Sequence, residues 1–276
     1  MAPSTAANAR HVSIGGSAFW RRASLTPPST GDVGILGEVF TSFQGEGPLI
    51  GRRQVFVRTA GCNLSCSYCD SAKFRRDVKS CEVIASGLRR RAENPVTVAW
   101  TMVEVRALWG RGTHSVSITG GEPLCQPEFV EALARACAAE GMAVYLETNG
   151  FSRRRFSKMI PWIDYASIDI KLPSAGPSSR RGSTDLVENE LACIEEASQR
   201  GVFTIAKVVV LASTSREEIE RLSPRLAGVE ATVVLQPAHG WGRPSPEKLT
   251  DLFEAASERL CNVVVIPQAH KTMGVL

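Results

Sequence analysis

The sequence has no long apolar run, no large excess of either charge and too few cysteines for a disulfide scaffold. No apolar stretch approaches the roughly 18 residues that a membrane-spanning helix needs, so we expect no membrane partner. Thirty-two basic and 28 acidic residues give a net charge of +4, which is too small to indicate a nucleic-acid partner. Eight cysteines among 276 residues direct attention to metal ligation or catalysis and fit a cytoplasmic protein.

The first 31 residues have no Asp or Glu. Arg10, Arg21 and Arg22 supply three positive charges among Ser, Thr, Pro and Gly, a composition typical of a poorly ordered extension. The segment is also similar to an organelle transit peptide, because it contains Arg and Ser and lacks the apolar core of a secretory signal. We therefore predict a disordered or targeting-like extension over residues 1–33 and one catalytic domain over residues 34–276.

Beyond residue 34, stretches of strand character alternate with stretches of helical character. The strand predictions, rich in Val, Ile and Thr, are Gln54–Thr59, Ser115–Thr119, Ala143–Thr148, Tyr165–Lys171, Val202–Val210, Ala231–Gln236 and Asn262–Ile266. The helix predictions, with apolar residues three and four apart, are Pro127–Glu140, Thr184–Arg200, Ser215–Leu226 and Pro246–Leu260. Alternation of this kind predicts an α/β fold with parallel strands, either a complete or a partial (β/α) barrel.

Several predicted strands have one polar and one apolar face. In the strand that begins at Tyr165, the residues Ser167, Asp169 and Lys171 alternate with Ala and Ile. Arg58 and Glu147 occupy polar faces of two other strands in the same way. A packed barrel interior would be apolar, so these polar faces predict a cavity for a charged ligand at the carboxyl ends of the strands.

A loop with three cysteines follows the strand that ends at Thr59. Cys62, Cys66 and Cys69 have the spacing CxxxCxxC, which brings three thiolates to one centre and leaves a fourth ligand position open. A structural zinc site takes four protein ligands, whereas a 4Fe–4S cluster held by three cysteines keeps one iron open to a substrate. The other five cysteines, which lack ligand spacing, are interpreted as ordinary core or surface residues: Cys81, Cys125, Cys137, Cys193 and Cys261.

Two motifs together resemble the radical S-adenosylmethionine (SAM) enzymes. One is the cysteine loop, with Tyr68 before its last cysteine; the other is Gly120-Gly121-Glu122-Pro123 at the end of the next strand. The two glycines are expected to let the backbone approach a ligand closely, and the Glu122 carboxylate to accept an ammonium group. Further segments resemble the 7-carboxy-7-deazaguanine synthase family within this superfamily: residues 38–47, 56–62, 69–71, 147–150, 169–174 and 267–271.

The resemblance implies a function for each matching residue. It implies that Cys62, Cys66 and Cys69 hold a 4Fe–4S cluster, and that Ser71, at a position where the family often has Thr, ligates Mg²⁺. The residues it assigns to SAM are Tyr68, Asp70, Gly121, Glu122, Asp169, Lys171 and Gln236. The residues it assigns to the pterin substrate are Phe43, Gln44, Gly45, Arg58, Thr119, His270 and Leu276. Arg58, together with the three cysteines, is assigned to catalysis, as a bidentate partner of the substrate carboxylate.

The implied enzyme is a carbon–nitrogen lyase that converts 6-carboxytetrahydropterin to 7-carboxy-7-deazaguanine for queuosine-type deazapurine biosynthesis. A reduced carrier such as flavodoxin or ferredoxin would donate an electron, SAM would be cleaved to a radical, and the pterin ring would contract with loss of ammonia. The resemblance also implies a homodimer. Two alternatives remain open at this stage: another radical SAM enzyme, such as a glycyl-radical activating enzyme, and an iron–sulfur electron-transfer or zinc protein. The role of residues 72–95, which match the family least, is also open.

Overall fold

A computed structural model of the chain describes residues 31–85, 87–175, 183–240 and 242–275. Residues 1–30 of the predicted extension lie outside these ranges, and Val33 pairs with Thr97 in a short antiparallel ladder. The described strands are β1 Val33–Gly34, β2 Leu36–Phe43, β3 Arg53–Thr59, β4 Ser80–Ala85, β5 Leu88–Glu93, β6 Val96–Thr97, β7 Thr113–Gly120, β8 Val144–Thr148, β9 Tyr165–Ile170, β10 Phe203–Val210, β11 Thr232–Pro237 and β12 Val263–Val265. All except β1 and β6 belong to one sheet.

The predicted parallel strands form the continuous centre of this sheet. The order is β12-β11-β10-β9-β8-β7-β3-β2-β4-β5, and every pair from β12 to β3 is parallel. Among the described residues β12 does not pair with β5, so the sheet is not closed. The prediction of a partial barrel with parallel strands is confirmed, because the strands from β12 to β3 are parallel and the sheet is open.

Helices lie in the crossovers between the parallel strands, and one further helix follows β12, the last strand. They are α1 Val98–Leu108, α2 Pro127–Ala139, α3 Arg153–Phe156, α4 Ser183–Gln199, α5 Arg216–Leu226, α6 Pro246–Ser257 and α7 Ala269–Met273. The start of α5 is fixed by a capping box, in which Ser215 and Glu218 each accept a hydrogen bond from the other's backbone N–H. No helix within the described ranges is long and apolar enough to span a membrane.

Five of the described strands (β1, β2, β4, β5 and β6) and three of the described helices (α1, α3 and α7) were absent from the sequence predictions. β2 pairs antiparallel with β3 and parallel with β4, and the β4–β5 hairpin accounts for most of residues 72–95. The sequence of β5, Leu-Arg-Arg-Arg-Ala-Glu, gave no alternation to detect because this edge strand is largely exposed on both faces. These additions extend the parallel sheet beyond β3, next to the cysteine loop.

The sheet has an apolar face and a polar face, as the period-two pattern predicted. Val57, Ile118, Leu146 and Ile168 belong to the buried core that includes residues of the crossover helices. The alternate positions of the same strands carry Arg58, Thr119, Glu147 and Asp169, which line a cleft on the opposite face. Parallel strands have their carboxyl ends at one edge of the sheet, so these side chains meet there.

Candidate active site

A large cleft opens at the carboxyl ends of the parallel strands. It encloses about 1270 Å³ of empty space including its open mouth, which is more than one drug-sized ligand requires. Every predicted site residue that the structure describes lines this cleft. Leu276, the remaining substrate-binding prediction, lies outside the described residues.

The cysteine loop forms one wall of the cleft and is held by backbone hydrogen bonds. The amides of Gly61 and Cys62 donate to the carbonyls of Phe74 (2.9 Å) and Arg75 (3.0 Å). The Arg75 guanidinium donates back to the Cys66 carbonyl at 3.0 Å. Residues 74–75, immediately after the loop in sequence, therefore fix its path before any cofactor binds.

The three thiols share one partly apolar environment. Leu64, Cys66 and Leu186 are buried together, with Cys62 and Cys69 packed against them. Burial raises the pKa of Cys62 to about 11, and Glu122 and the other two cysteines add to the rise. Three thiols of one short loop that line the same cleft form a donor set that fits an iron–sulfur cluster with three cysteine ligands.

The other five cysteines do not form the second pair of ligands that a structural zinc site would need. Cys81, Cys137 and Cys193 are buried in the main core, and Cys261 is exposed. Burial raises the pKa of Cys125 to about 12, and the nearby Glu122 and Cys62 add to the rise. All eight cysteines are free thiols.

The two glycines of the Gly120-Gly121-Glu122 turn line the cleft and pack closely against other backbone. A Cβ on Gly121 would lie 2.3 Å from the Gly61 carbonyl oxygen and 2.7 Å from that of Phe74. A Cβ on Gly120 would lie 2.3 Å from the Thr59 oxygen. The space is therefore already filled by backbone of the neighbouring strand and cysteine loop, and the glycines are required for that contact.

Glu122 is buried, and its hydrogen bonds connect this turn to the end of β8. It accepts hydrogen bonds from the Leu124 amide (2.9 Å), the Thr148 hydroxyl (2.5 Å) and the Asn149 amide (2.7 Å). Burial raises its pKa to about 7, although these three hydrogen bonds lower it. A carboxylate oxygen offers two acceptor positions, so Oε2 keeps one for a ligand in the cleft.

Two buried polar atoms lining the cleft have no hydrogen-bond partner among the described residues. They are the Tyr68 hydroxyl and Gln236 Oε1. Because buried polar groups are normally paired, these atoms indicate that a ligand with its own donors and acceptors completes the site. The residues fit SAM, a polar zwitterion with an adenosyl group.

A buried ion network crosses the floor of the cleft. Lys171 donates to Asp169 at 2.9 Å, and Lys207 donates to the other Asp169 oxygen at 2.9 Å and to Glu46 at 2.5 Å. Burial alone would lower the pKa of Lys207, but Asp169, Glu46 and Glu147 hold it well above its usual value. Sequence reasoning missed Lys207, although a lone lysine in the Val-rich β10 was a signal that a buried partner exists.

Glu147 occupies the cleft beside this network and was not among the predicted site residues. Its oxygens accept hydrogen bonds from the Gln44 amide and the Thr119 hydroxyl, both at 2.8 Å. Burial raises its pKa more than Lys207 lowers it. Its polar strand position was recognised in the sequence, but only the tertiary structure brings Gln44 and Thr119 to it.

Arg58 lines the same cleft as Glu147 and is held on two sides. Its Nε donates to Glu38 at 2.9 Å and its Nη1 to the Ser71 hydroxyl at 3.1 Å. Ser71 in turn donates to Asp70 at 2.9 Å. Asp70 was expected at SAM, yet its contacts connect it to Ser71 and to Gln268.

The C-terminal segment closes the cleft over Gly45. The Ala269 amide donates to the Gly45 carbonyl at 2.8 Å, and Gln268 donates to Glu46 at 2.7 Å. A Cβ on Gly45 would lie 2.3 Å from the His270 ring, so glycine is needed here for the imidazole to pack. Ligand atoms of Glu46, Asp70 and His270 lie within 4.8 Å of one another, which makes this corner a candidate cation site.

The fold and the cysteine loop define the class of protein. Residues 56–223 match the family model of the radical SAM superfamily, so the chain belongs to it. Within the superfamily, the chain belongs to the 7-carboxy-7-deazaguanine synthase family. It is 39% identical over 253 residues to the 7-carboxy-7-deazaguanine synthase of Geobacter sulfurreducens, covering 87% of this chain and 97% of that one. It is 35% identical over 254 residues to the enzyme of Methanothermobacter thermautotrophicus, covering 86% and 96%.

Solved structures agree on the fold. QueE from Escherichia coli matches with a TM-score of 0.56 at 20% identity, covering 84% of this chain and 93% of that one. Streptococcus suis SuiB bound to S-adenosylmethionine matches with a TM-score of 0.51 at 15% identity, covering 75% of this chain and 48% of that one. At these identities the likeness concerns the fold alone.

Proposed function

We propose that this chain is a radical SAM carbon–nitrogen lyase that converts 6-carboxytetrahydropterin to 7-carboxy-7-deazaguanine. The proposal is carried by one observation: the cysteine loop, Arg58 and Glu147 line the same cleft. One end of that cleft suits an iron–sulfur cluster and SAM, and the other carries a cation and a carboxylate for a charged heterocycle. The family to which the chain belongs supports the same reaction.

On this proposal, Cys62, Cys66 and Cys69 hold the 4Fe–4S cluster. When bound, the cluster and SAM supply the radical that begins the ring contraction. The SAM-binding residues are those nearest the loop: Tyr68 and Gln236 through their unpaired buried atoms, Glu122 through its open acceptor position, and the Asp169–Lys171 pair. The Gly121 backbone packs against Gly61 and so supports the start of the cysteine loop.

The pterin would lie between Arg58 and Glu147. Arg58 provides the cation for the substrate carboxylate, and the Glu147 carboxylate accepts N–H groups of the aminopyrimidinone ring. Gln44 and Thr119 orient Glu147 through their hydrogen bonds, and Phe43, which is 45% exposed at the mouth, offers an aromatic face to the ring. Gly45 and His270 close the same side of the cleft.

Mg²⁺ binding at Ser71 is part of the proposal. The donors fit a hard cation, because the Ser71 hydroxyl and the carboxylates of Asp70 and Glu46 are oxygen ligands. The contact between Asp70 and Ser71 favours a role for Asp70 on the Mg²⁺ side rather than at SAM. Ser71 keeps the oxygen of the more usual Thr, so we expect it to serve the same metal.

The electron donor is proposed to be an acidic protein such as flavodoxin or ferredoxin. Residues 72–95 carry seven basic and three acidic residues, whereas the rest of the chain after residue 31 carries 22 basic and 25 acidic residues. This basic segment begins beside the cysteine loop and is bonded to it through Phe74 and Arg75. Arg76→Glu should slow SAM cleavage driven by flavodoxin but not by dithionite, whereas Arg221→Glu on α5 should change neither.

A cytoplasmic location and a homodimer complete the proposal. Eight free thiols support a reducing compartment, in which an iron–sulfur enzyme also needs to be assembled. The family resemblance supports the dimer, and sedimentation velocity measures it directly.

The test is anaerobic incubation of the reconstituted protein with reductant, SAM, Mg²⁺ and 6-carboxytetrahydropterin. We expect 7-carboxy-7-deazaguanine and ammonia, with SAM recovered at the end of turnover. SAM cleavage without any pterin product would instead identify a different radical SAM enzyme, such as one that activates a protein. A colourless preparation that contains zinc and no acid-labile sulfide would exclude the radical chemistry altogether.

A further inference from the structure

Glu38 is a buried carboxylate outside the parallel run from β12 to β3, and it contacts Arg58, the arginine proposed to bind the substrate. It lies on β2, directly across the antiparallel ladder from Arg58 on β3. Its Oε1 accepts the Arg58 Nε–H at 2.9 Å, and the two side chains are only 9% and 18% exposed. Its Oε2 lies 3.5 Å from the Lys73 ammonium.

These contacts determine which edge of the Arg58 guanidinium is available. A guanidinium can donate two hydrogen bonds to a carboxylate in either of two geometries. The side-on geometry uses Nε and one Nη, and the end-on geometry uses both Nη atoms. Glu38 occupies Nε, so the side-on edge is already used and the end-on edge faces Ser71 and the cleft. The Phe40 and Phe74 rings flank the guanidinium carbon at 5.7 and 5.9 Å and limit its rotation.

We propose that Glu38 is a positioning residue that selects the end-on face of Arg58 for the carboxylate of the substrate. The inference rests on the proposed function, because it requires a carboxylated ligand at Arg58. Glu38 itself does not line the cleft. It would act only through Arg58, by holding the guanidinium in one orientation before the ligand arrives.

The charge of Glu38 matters as well as its hydrogen bond. A mostly buried guanidinium without a partner would turn towards another carboxylate. The nearest candidate is Asp70, because Arg58 contacts Ser71 and Ser71 contacts Asp70. With Glu38 in place, Arg58 is neutralised on its far side. One N–H of Nη1 donates to Ser71, and the other N–H of Nη1 and those of Nη2 remain for the ligand. Removing Glu38 should therefore weaken recognition of a carboxylate and leave recognition of the ring unchanged.

The experiment measures binding by anaerobic calorimetry with the SAM-loaded holoenzyme and two ligands. One ligand is 6-carboxytetrahydropterin and the other is tetrahydropterin, which lacks the carboxylate. We expect Glu38→Ala to raise the Kd of the first ligand on the order of 10- to 100-fold and to leave the Kd of the second unchanged. Glu38→Gln, which keeps an acceptor oxygen, should fall between Glu38→Ala and the unsubstituted protein.

A double-mutant cycle separates positioning from a structural effect. In a protein that already carries Arg58→Ala, adding Glu38→Ala should cause no further loss of affinity, because Glu38 acts only through Arg58. The matched control is Glu82→Ala, since Glu82 is the β4 neighbour of Glu38 and also pairs with two arginines, but it does not touch Arg58. Glu82→Ala should leave both Kd values unchanged.

Three results would overturn the inference. They are an unchanged Kd for the carboxylated ligand in Glu38→Ala, an equal loss for both ligands, and an additive loss in the double variant. If Glu38→Ala does not fold, the comparison of Glu38→Gln with the unsubstituted protein decides the question in the same way. If the unsubstituted protein binds neither pterin, the proposed function has failed, and that outcome is distinct from a failure of the inference alone.

Discussion

The Gly121→Ala substitution tests whether packing of the cysteine loop, rather than contact with a ligand, requires glycine in this turn. The added Cβ would lie 2.3 Å from the Gly61 carbonyl oxygen, 2.7 Å from the Phe74 carbonyl oxygen and 2.8 Å from the Gly61 carbonyl carbon. All three atoms are backbone, so no flexible side chain can move aside. The start of the cysteine loop and residue 74 must shift together.

The size of the effect follows from these distances. Ordinary contact begins near 3.4 Å, so the Gly61 carbonyl has to move by roughly 1 Å. Overpacking of this kind costs about 1–3 kcal/mol, which corresponds to a fall in melting temperature on the order of 5 °C. The same shift displaces Cys62, which follows Gly61 directly, so we expect cluster content to fall by more than half.

The assay is anaerobic reconstitution followed by iron and acid-labile sulfide analysis, together with thermal unfolding of the apoprotein. Gly110→Ala is the matched control, because a Cβ there would meet its nearest atom, Arg53 Nη1, at an ordinary 3.6 Å. We expect the control to load a full cluster and to unfold at the original temperature. Full cluster loading and an unchanged melting temperature in Gly121→Ala would show that the loop does not pack against this turn.

Three further predictions concern the thiols and the buried charges. Cys66→Ala should abolish the cluster measured as iron and sulfide, whereas Cys261→Ala, at an exposed thiol, should retain it. Glu190 is a fully buried residue of α4, and burial raises its pKa to about 8. The folded protein should therefore lose stability as the pH rises from 4.5 to 8, and Glu190→Gln should remove that slope in thermal melts and gain on the order of 3 kcal/mol at pH 7. Lys207→Met should cost about 3–5 kcal/mol in denaturant unfolding at pH 7 and progressively less as the pH falls below 4.5. The Lys207 cation lowers the pKa of Glu46 and adds to Lys171 in lowering that of Asp169, so its contribution is lost as these carboxyls protonate. A pH-independent cost for Lys207→Met, or a Glu190→Gln protein that melts no later at pH 7, would contradict these assignments.

The parallel sheet was largely predictable from the sequence because periodicity is a local property. Each of the seven predicted strands corresponds to an observed strand of the parallel sheet, with bounds that differ by at most two residues. The polar faces of Asp169 and Glu147 were also visible, since side chains alternate along any strand. The hairpin over residues 80–93 escaped detection because exposed arginines in β5 carry no hydrophobic signal.

The sequence by itself indicated the class of chemistry, because three cysteines at CxxxCxxC spacing predict one centre with an open ligand position and the Gly120-Gly121-Glu122 turn accompanies them. It could not determine which atoms face one another across the cleft. That Lys207 joins Glu46 to Asp169, that Glu38 holds Arg58, and that Gly121 is needed for the Gly61 backbone all depend on residues distant in sequence. Such contacts are fixed by strand order and register, which the tertiary structure alone decides.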